Sequence, residues 1–372
     1  MAQPLRILLL RPLYRLAEAD MVFWLMPPLM ILLTVGTLAQ RWMGLWPAMD
    51  MFFGSFIIWA GPIPLPGAYI LLGLLSLNLT FKFLLKSEWK WNRAGIILSH
   101  LGALILLIGG LLTAMTARES YMLIPEGSET PYIYSYTNRS LVLFEGKTAI
   151  LNLPFSRIQH ADFPPLPFEI KLRRACENCE ILKRAETPEY DETAPYQSMA
   201  AFMALKDKPL EPQPESNLTG FEFEISGSNA DGIYIAFDGM PKPLEITAEG
   251  KNYTLIFGKS QHRLPFSIKL EDFVKDSYGG TDMARNYRSD IILKDGDLEW
   301  PARIEMNKPL RYKGYTFFQS SFEQGPDFEA TILAVVENKG RLMPYIGTGI
   351  LTLGLLMHLL VTFYNRPKGA KS

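Results

Sequence analysis

Four stretches of about 20 apolar residues, enough to cross the hydrocarbon core of a bilayer, constrain this chain more than any other feature. They cover residues 21–39, 66–84, 96–117 and 344–364. Inside lipid no water meets a peptide group, so each such stretch must close its own hydrogen bonds as a helix. Overall hydrophobic content is 48%, which averages these stretches with a much more polar remainder. The net charge of −1 supplies no basic surface for nucleic acid. Arg6, Arg11 and Arg15 precede an apolar run too long for a signal-peptide core and without a small-residue cleavage site, so the first span is expected to stay in the protein.

A fifth apolar piece, residues 51–63, is short and is followed by Pro64 and Pro66. It reads as an interfacial or re-entrant segment. The positive-inside rule supports that choice. With four spans, Arg6, Arg11 and Arg15, the loop bearing Lys86, Lys90 and Arg93, and the tail bearing Arg366, Lys368 and Lys371 share the cytoplasmic side. A fifth span would move the Lys86 loop outside. Trp42, Trp46 and Trp59 then suit the outer interface, and Trp24, Trp89 and Trp91 the inner one.

The expected architecture is an α-helical membrane protein with four transmembrane helices, both termini cytoplasmic, in the inner (plasma) membrane. Residues 1–117 form an N-terminal membrane domain, residues 118–341 an extracytoplasmic domain, and residues 342–372 the fourth helix and tail. The large segment between helices three and four carries short alternating runs closed by turn residues: Ser140-Leu-Val-Leu-Phe144, Phe221-Glu-Phe-Glu-Ile225, Ile233-Tyr-Ile-Ala-Phe237 and Tyr253-Thr-Leu-Ile-Phe257. Period-two patterning with such punctuation predicts antiparallel strands in a β-rich sandwich or barrel-like domain. Residues 186–219, rich in Pro, Glu and Ser, read as a solvated linker with a short helix at the apolar island 199–205, the alternative being a loop that docks on a partner or the membrane.

Two of the four histidines, His100 and His358, lie inside apolar spans. Ionisable groups there are costly and mark ligand, proton or cofactor paths. His100 lies about six residues before the middle of its span, roughly 9 Å, and His358 about four residues past the middle of the last, roughly 6 Å. Since the two spans run in opposite directions, both fall in the cytoplasmic leaflet at comparable depth, where two neutral imidazoles could be axial ligands of one haem iron. Gly347, Gly354, His358 and Thr362 share one helical stripe, and Ala103, Gly110 and Ala114 fall beside His100. Such small-residue faces admit a neighbouring helix or a flat macrocycle. The competing reading makes each histidine a hydrogen-bonding partner of a nearby Ser, Thr or carbonyl. His160 and His262 read as surface residues without zinc spacing around them.

Cys176 and Cys179 are the only cysteines, in Cys-Glu-Asn-Cys. Covalent haem attachment needs Cys-x-x-Cys-His, and Glu180 holds the histidine position. A redox pair would sit at a helix N-terminus, whereas this one follows a strand-like run. A local disulfide in an oxidising compartment is the favoured reading. No nucleophile elbow, His-Glu-x-x-His helix or P-loop is present, and Asp191-Glu192 reads as solvation in the Pro-rich loop. No catalytic residue is assigned.

The run Asn307-Lys-Pro-Leu310, followed by Gly314-Tyr-Thr-Phe-Phe-Gln-Ser-Ser321, resembles the ResB (CcsB) family of system II cytochrome c biogenesis. Leu98-Ser-His-Leu-Gly-Ala-Leu104 looks like that family's His-Leu-Gly helix opening. The resemblance implies a partner of the ResC (CcsA) type, apocytochrome c as client, and transient or complex-dependent haem moved across the membrane and presented for thioether attachment. It carries a haem-associated membrane histidine onto His100, and less directly onto His358. The partner's tryptophan-rich motif has no counterpart among the seven tryptophans, so attachment is expected to belong to the partner. Arg311-Tyr-Lys-Gly-Tyr-Thr-Phe-Phe318 could meet propionates or apocytochrome, or could be an aromatic edge strand packed on a core. Two other classes remain: a b-type haem electron-transfer or anchor subunit, and a scaffold with structural histidines.

Overall fold

The computed structural model describes residues 14–187, 191, 193–277, 279–280, 284–325 and 328–364. Arg6, Arg11, Arg366, Lys368 and Lys371, invoked for orientation, and Glu192 lie outside the described residues. The chain divides into two compact units, one running to Arg118 and resuming at Glu337, the other being Glu119–Val336.

In the first unit, four helices are long and apolar enough to cross a membrane. They are α1 (Ala19–Met43), α2 (Ala68–Phe81, prolonged by a wider turn at Lys82–Lys86), α3 (Ala94–Thr116) and α4 (Met343–Tyr364). Asn78 on α2 is buried and donates from Nδ2 to the carbonyls of Leu16 and Glu18, at 2.5 and 2.8 Å. Those bonds fasten the chain entering α1, and Lys86 adds an ion pair to Glu18.

Between α1 and α2 the fifth apolar piece forms a turn, Met49–Phe53, and then a two-stranded hairpin, β1 (Ile57–Ala60) with β2 (Ile63–Pro66). The helix breakers Pro62, Pro64 and Pro66 therefore end up in and beside a β-ribbon, where an extended φ suits proline. Ile58 seats the hairpin against Leu32, Ala68 and Leu71.

The second unit is β-rich. A ten-stranded sheet runs β14-β13-β12-β4-β3-β17-β16-β15, with β5 added on β4 and β11 on β12. The strands are β3 (Arg118–Pro125), β4 (Glu129–Glu145), β5 (Thr148–Pro154), β11 (Leu244–Ala248), β12 (Lys251–Ser277), β13 (Ala284–Asp295), β14 (Leu298–Glu305), β15 (Leu310–Tyr312), β16 (Tyr315–Gly325) and β17 (Phe328–Glu337). A three-stranded sheet, β10-β9-β6, comprises β6 (Glu169–Cys176), β9 (Gly220–Ser226) and β10 (Gly232–Phe237). All four predicted alternating runs fall in strands.

Two large hydrophobic cores and a smaller third one fill this unit. One joins Phe221, Phe223 and Tyr234 to Leu141, Leu143, Tyr253 and Leu255. The other joins Leu264, Phe266, Ile268 and Leu270 to Met122, Ile133, Ile291, Phe317 and Leu333. Strands β4 and β12 contribute to both large cores. Irregular registers between Lys259 and Gln261, and between Arg263 and Ile268, bend β12 where it passes from one core to the other.

Residues 199–205 depart from the linker reading. They form a single turn, Ser198–Ala201, and then β8 (Met203–Asp207), which pairs with β7 (Cys179–Lys183). Ala200 and Leu205 are buried against Cys176, Cys179 and Ile235. The island is the inner face of a small sheet, and its partners lie too far away in sequence for local patterning to reveal them.

Candidate membrane histidine site

Helices α3 and α4 form an antiparallel pair, and glycine sets how near they come. Gly95, Gly102 and Gly109 repeat every seven residues on α3, as do Gly340, Gly347 and Gly354 at and before α4. A Cβ on Gly102 would lie 2.5 Å from the Leu351 nitrogen, one on Gly354 2.8 Å from the Gly95 carbonyl, and one on Gly340 3.1 Å from the Gly109 carbonyl. The backbones touch along a seam where no side chain fits. A seven-residue repeat keeps that seam facing the partner along a slight left-handed supercoil.

This register corrects the matched depth expected for the two histidines. A Cβ on Gly95 would collide with the His358 backbone nitrogen, so Gly95 and His358 share a level, and His100 stands five residues further along α3. Their separation along the pair is about five residues, roughly 8 Å at 1.5 Å per residue. The difference arises because sequence reading measured each depth from the midpoint of its own apolar run, whereas packing aligns the helices by their glycines. No macrocycle can lie in the seam itself, since Gly347 and Gly354 are already covered by α3.

The environments of the two rings differ. His100 is half-buried, and its Nδ1 lies 2.7 Å from the Ile96 carbonyl. A carbonyl only accepts, so Nδ1 carries the proton and the Nε2 lone pair is left as the ligating or accepting group. An imidazole oriented by a backbone carbonyl is the usual outer-shell arrangement of a metal-binding histidine. It also satisfies the competing reading, in which the ring bonds a nearby carbonyl. Ten and fourteen residues further along α3, roughly 15 and 21 Å from His100, Gly110 and Ala114 are exposed, and a Cβ on Gly110 would meet nothing within 4 Å. His358 has its backbone in the seam, where a Cβ on Gly95 would lie 2.7 Å from its Cα, while its side chain is exposed. Thr362 Oγ1 donates to the His358 carbonyl at 2.8 Å.

The other candidates resolve into structural roles. Cys176 and Cys179 are joined as a disulfide with Cα atoms 5.5 Å apart, buried between β6 and β7. His160 is exposed, with Nδ1 2.6 Å from the Ser156 carbonyl, and His262 is exposed on β12. Among the described residues no group of three His, Cys, Asp or Glu side chains could hold a metal ion. In the aromatic and basic run, Phe317 is fully buried and Tyr312 packs edge-on against Phe266 and Trp300, with centroids 4.9 and 5.1 Å away. Asp295 accepts from Tyr312 and Lys313. These bonds hold its carboxyl below the usual range, the Lys313 contact contributing most, and raise the Tyr312 hydroxyl. Phe317 and Tyr312 thus pack a core, while Arg311 and Lys313 of the same run are exposed.

Sequence reasoning found Gly347 and Gly354 but missed their partners Gly95, Gly102 and Gly109. The signal was present in the equal seven-residue spacing of both sets.

Comparison with known proteins points in one direction. Residues 246–346, from β11 through the start of α4, match the ResB-like family. The chain is similar to Protein NrfI of Wolinella succinogenes, with 36% identity over 108 residues, covering 28% of this chain and 12% of that protein's length.

Proposed function

Because the chain belongs to the ResB-like family, we propose that it acts in the maturation of c-type cytochromes, handling haem inside the membrane with a ResC (CcsA)-type partner. In this reading α1 to α4 cross the inner membrane with both termini in the cytoplasm. The β-rich unit is then extracytoplasmic, where a Cys176–Cys179 disulfide persists and apocytochrome c is met. Haem is cargo, and its attachment belongs to the partner.

The observation that carries the site assignment is the Nδ1 contact from His100 to the Ile96 carbonyl, on a ring that is only half-buried. It supports His100 as one axial ligand of a haem whose other ligand comes from the partner. The closed seam argues against a single haem clasped between the two helices by His100 and His358. His358, exposed nearer the same end of the pair and level with the start of α3, is proposed as a second, separate haem contact on the same route.

Haem content of the purified complex tests this. With the partner present, His100→Gly is expected to lower bound haem at least threefold and to shift the absorption of what remains, and imidazole added to the medium should restore both. His358→Gly is expected to leave the spectrum of the haem bound at His100 unchanged. Haem that ignores His100→Gly would overturn the assignment. Identical spectral effects from both variants would return the single bis-histidine site.

A further inference from the structure

The β1–β2 hairpin is almost wholly exposed and almost wholly apolar. Phe56, Ile57, Trp59, Ile63 and Leu65 are 65%, 48%, 61%, 58% and 46% accessible. From Met51 to Phe81 the chain contains no Asp, Glu, Lys or Arg. An aqueous loop of this composition would be an aggregation hazard.

Its edge is chemically unusual. Gly67 donates to the Phe56 carbonyl at 2.7 Å, closing the open end of the ribbon. Antiparallel alternation then makes Ile58 with Leu65, and Ala60 with Ile63, the bonded pairs, and it places Pro64 and Pro66 at outward positions opposite Trp59 and Ile57. Proline has no N–H, so the outer edge of β2 presents no donor to leave unsatisfied. Such an edge cannot template another strand, and it escapes part of the penalty for taking backbone donors out of water. The outward donors that remain belong to Ile57 and Trp59 on β1, within reach of lipid ester carbonyls and interfacial water.

The base of the ribbon is fixed. Ile58 is buried on α1 and α2, Tyr69 donates to the Ser55 carbonyl at 3.3 Å, and Gly36 on α1 makes room for Phe53. The hairpin therefore continues the apolar outer surface of two helices at the ends where they are joined.

We infer that residues 56–66 are an interfacial anchor, inserted at the headgroup and acyl boundary of the leaflet reached by the C-terminus of α1, with Trp59 at the boundary and Ile63 and Leu65 below it. This rests on the reading that α1 and α2 cross a membrane. The occupant of the exposed apolar surface is lipid, because strand addition is blocked along β2 and no charge is present to recognise a polar partner.

Nitroxide accessibility on the full chain tests it. Single substitutions Ile63→Cys and Leu65→Cys, spin-labelled and reconstituted in phosphatidylcholine–phosphatidylglycerol vesicles, are compared with Leu360→Cys on exposed α4 and Leu298→Cys on the β-rich unit. The expected result is collision with oxygen exceeding collision with a water-soluble nickel chelate at least threefold for Ile63, Leu65 and Leu360, and the reverse for Leu298. Nickel-accessible hairpin labels beside an oxygen-accessible Leu360 would overturn the anchor while leaving the spans intact. Hairpin labels shielded from both reagents would overturn it in favour of a protein covering. A nickel-accessible Leu360 would overturn the membrane reading itself.

Discussion

Arg184 and Asp295 show how single side chains hold the β-rich unit. Arg184, 5% exposed, donates to Glu222 at 2.7 Å and to the carbonyls of Ala200 and Met203, and lies over the Tyr196 ring. It ties the island 199–205 to β9. Glu222→Ala strands this buried cation, and removing one partner of such a pair costs about 3 kcal/mol. A urea-denaturation midpoint lowered by an amount corresponding to that loss is expected, with Glu222→Gln recovering part of it. Asp295 gives a pH dependence. Its carboxyl is held below its ordinary value by Lys313 and Tyr312, so the folded state favours the ionised form. That contribution is complete above the unfolded carboxylate range and is lost as pH falls through the lower folded value. Asp295→Asn is expected to lower stability at neutral pH and to flatten the acid limb of a stability-versus-pH curve, so that the two proteins converge at low pH.

Among elements, the α3–α4 pair makes the sharpest claim, because its outcome is a sign. In an exposed helix, replacing glycine by alanine stabilises by roughly 1 kcal/mol. Gly110→Ala, in open space, should therefore raise the thermal midpoint slightly. Gly102→Ala should lower it, since the new methyl would stand 2.5 Å from the Leu351 nitrogen and 2.8 Å from the Gly347 carbonyl, and backbone cannot step aside as a side chain can. Midpoints moving in the same direction would refute the seam. The helices were legible in the chain because apolar runs of bilayer length have few alternatives, and the strands at Phe221 and Tyr253 because alternation is local. The seam register, the strand at residues 203–207 and the offset of the histidines were not legible, because each is decided by a partner distant in sequence. The prolines at 62, 64 and 66 signalled a break, and only the pairing of β1 with β2 shows that Pro64 and Pro66 line an edge.

For the whole molecule, the long strands β4 and β12 carry side chains into both large cores of the β-rich unit. Neither core can be lost without disrupting strands the other depends on. Amide exchange in β12 is expected to be comparably slow on both sides of the irregular registers at residues 259–268 and to rise together in mild denaturant. Early exchange confined to residues 253–257 would show instead that the cores open separately.

The glycine seam also has a consequence in time. Its two halves are far apart in coding order: Gly95, Gly102 and Gly109 are made first, and Gly347 follows Gly109 by 238 residues. At roughly 5–20 residues per second, the intervening chain takes tens of seconds to emerge. Throughout that interval α3 presents a naked backbone groove to whatever helix is nearest, including one from a neighbouring nascent chain. Truncation before residue 343 would make that exposure permanent, leaving a stalled product with its most adhesive surface uncovered.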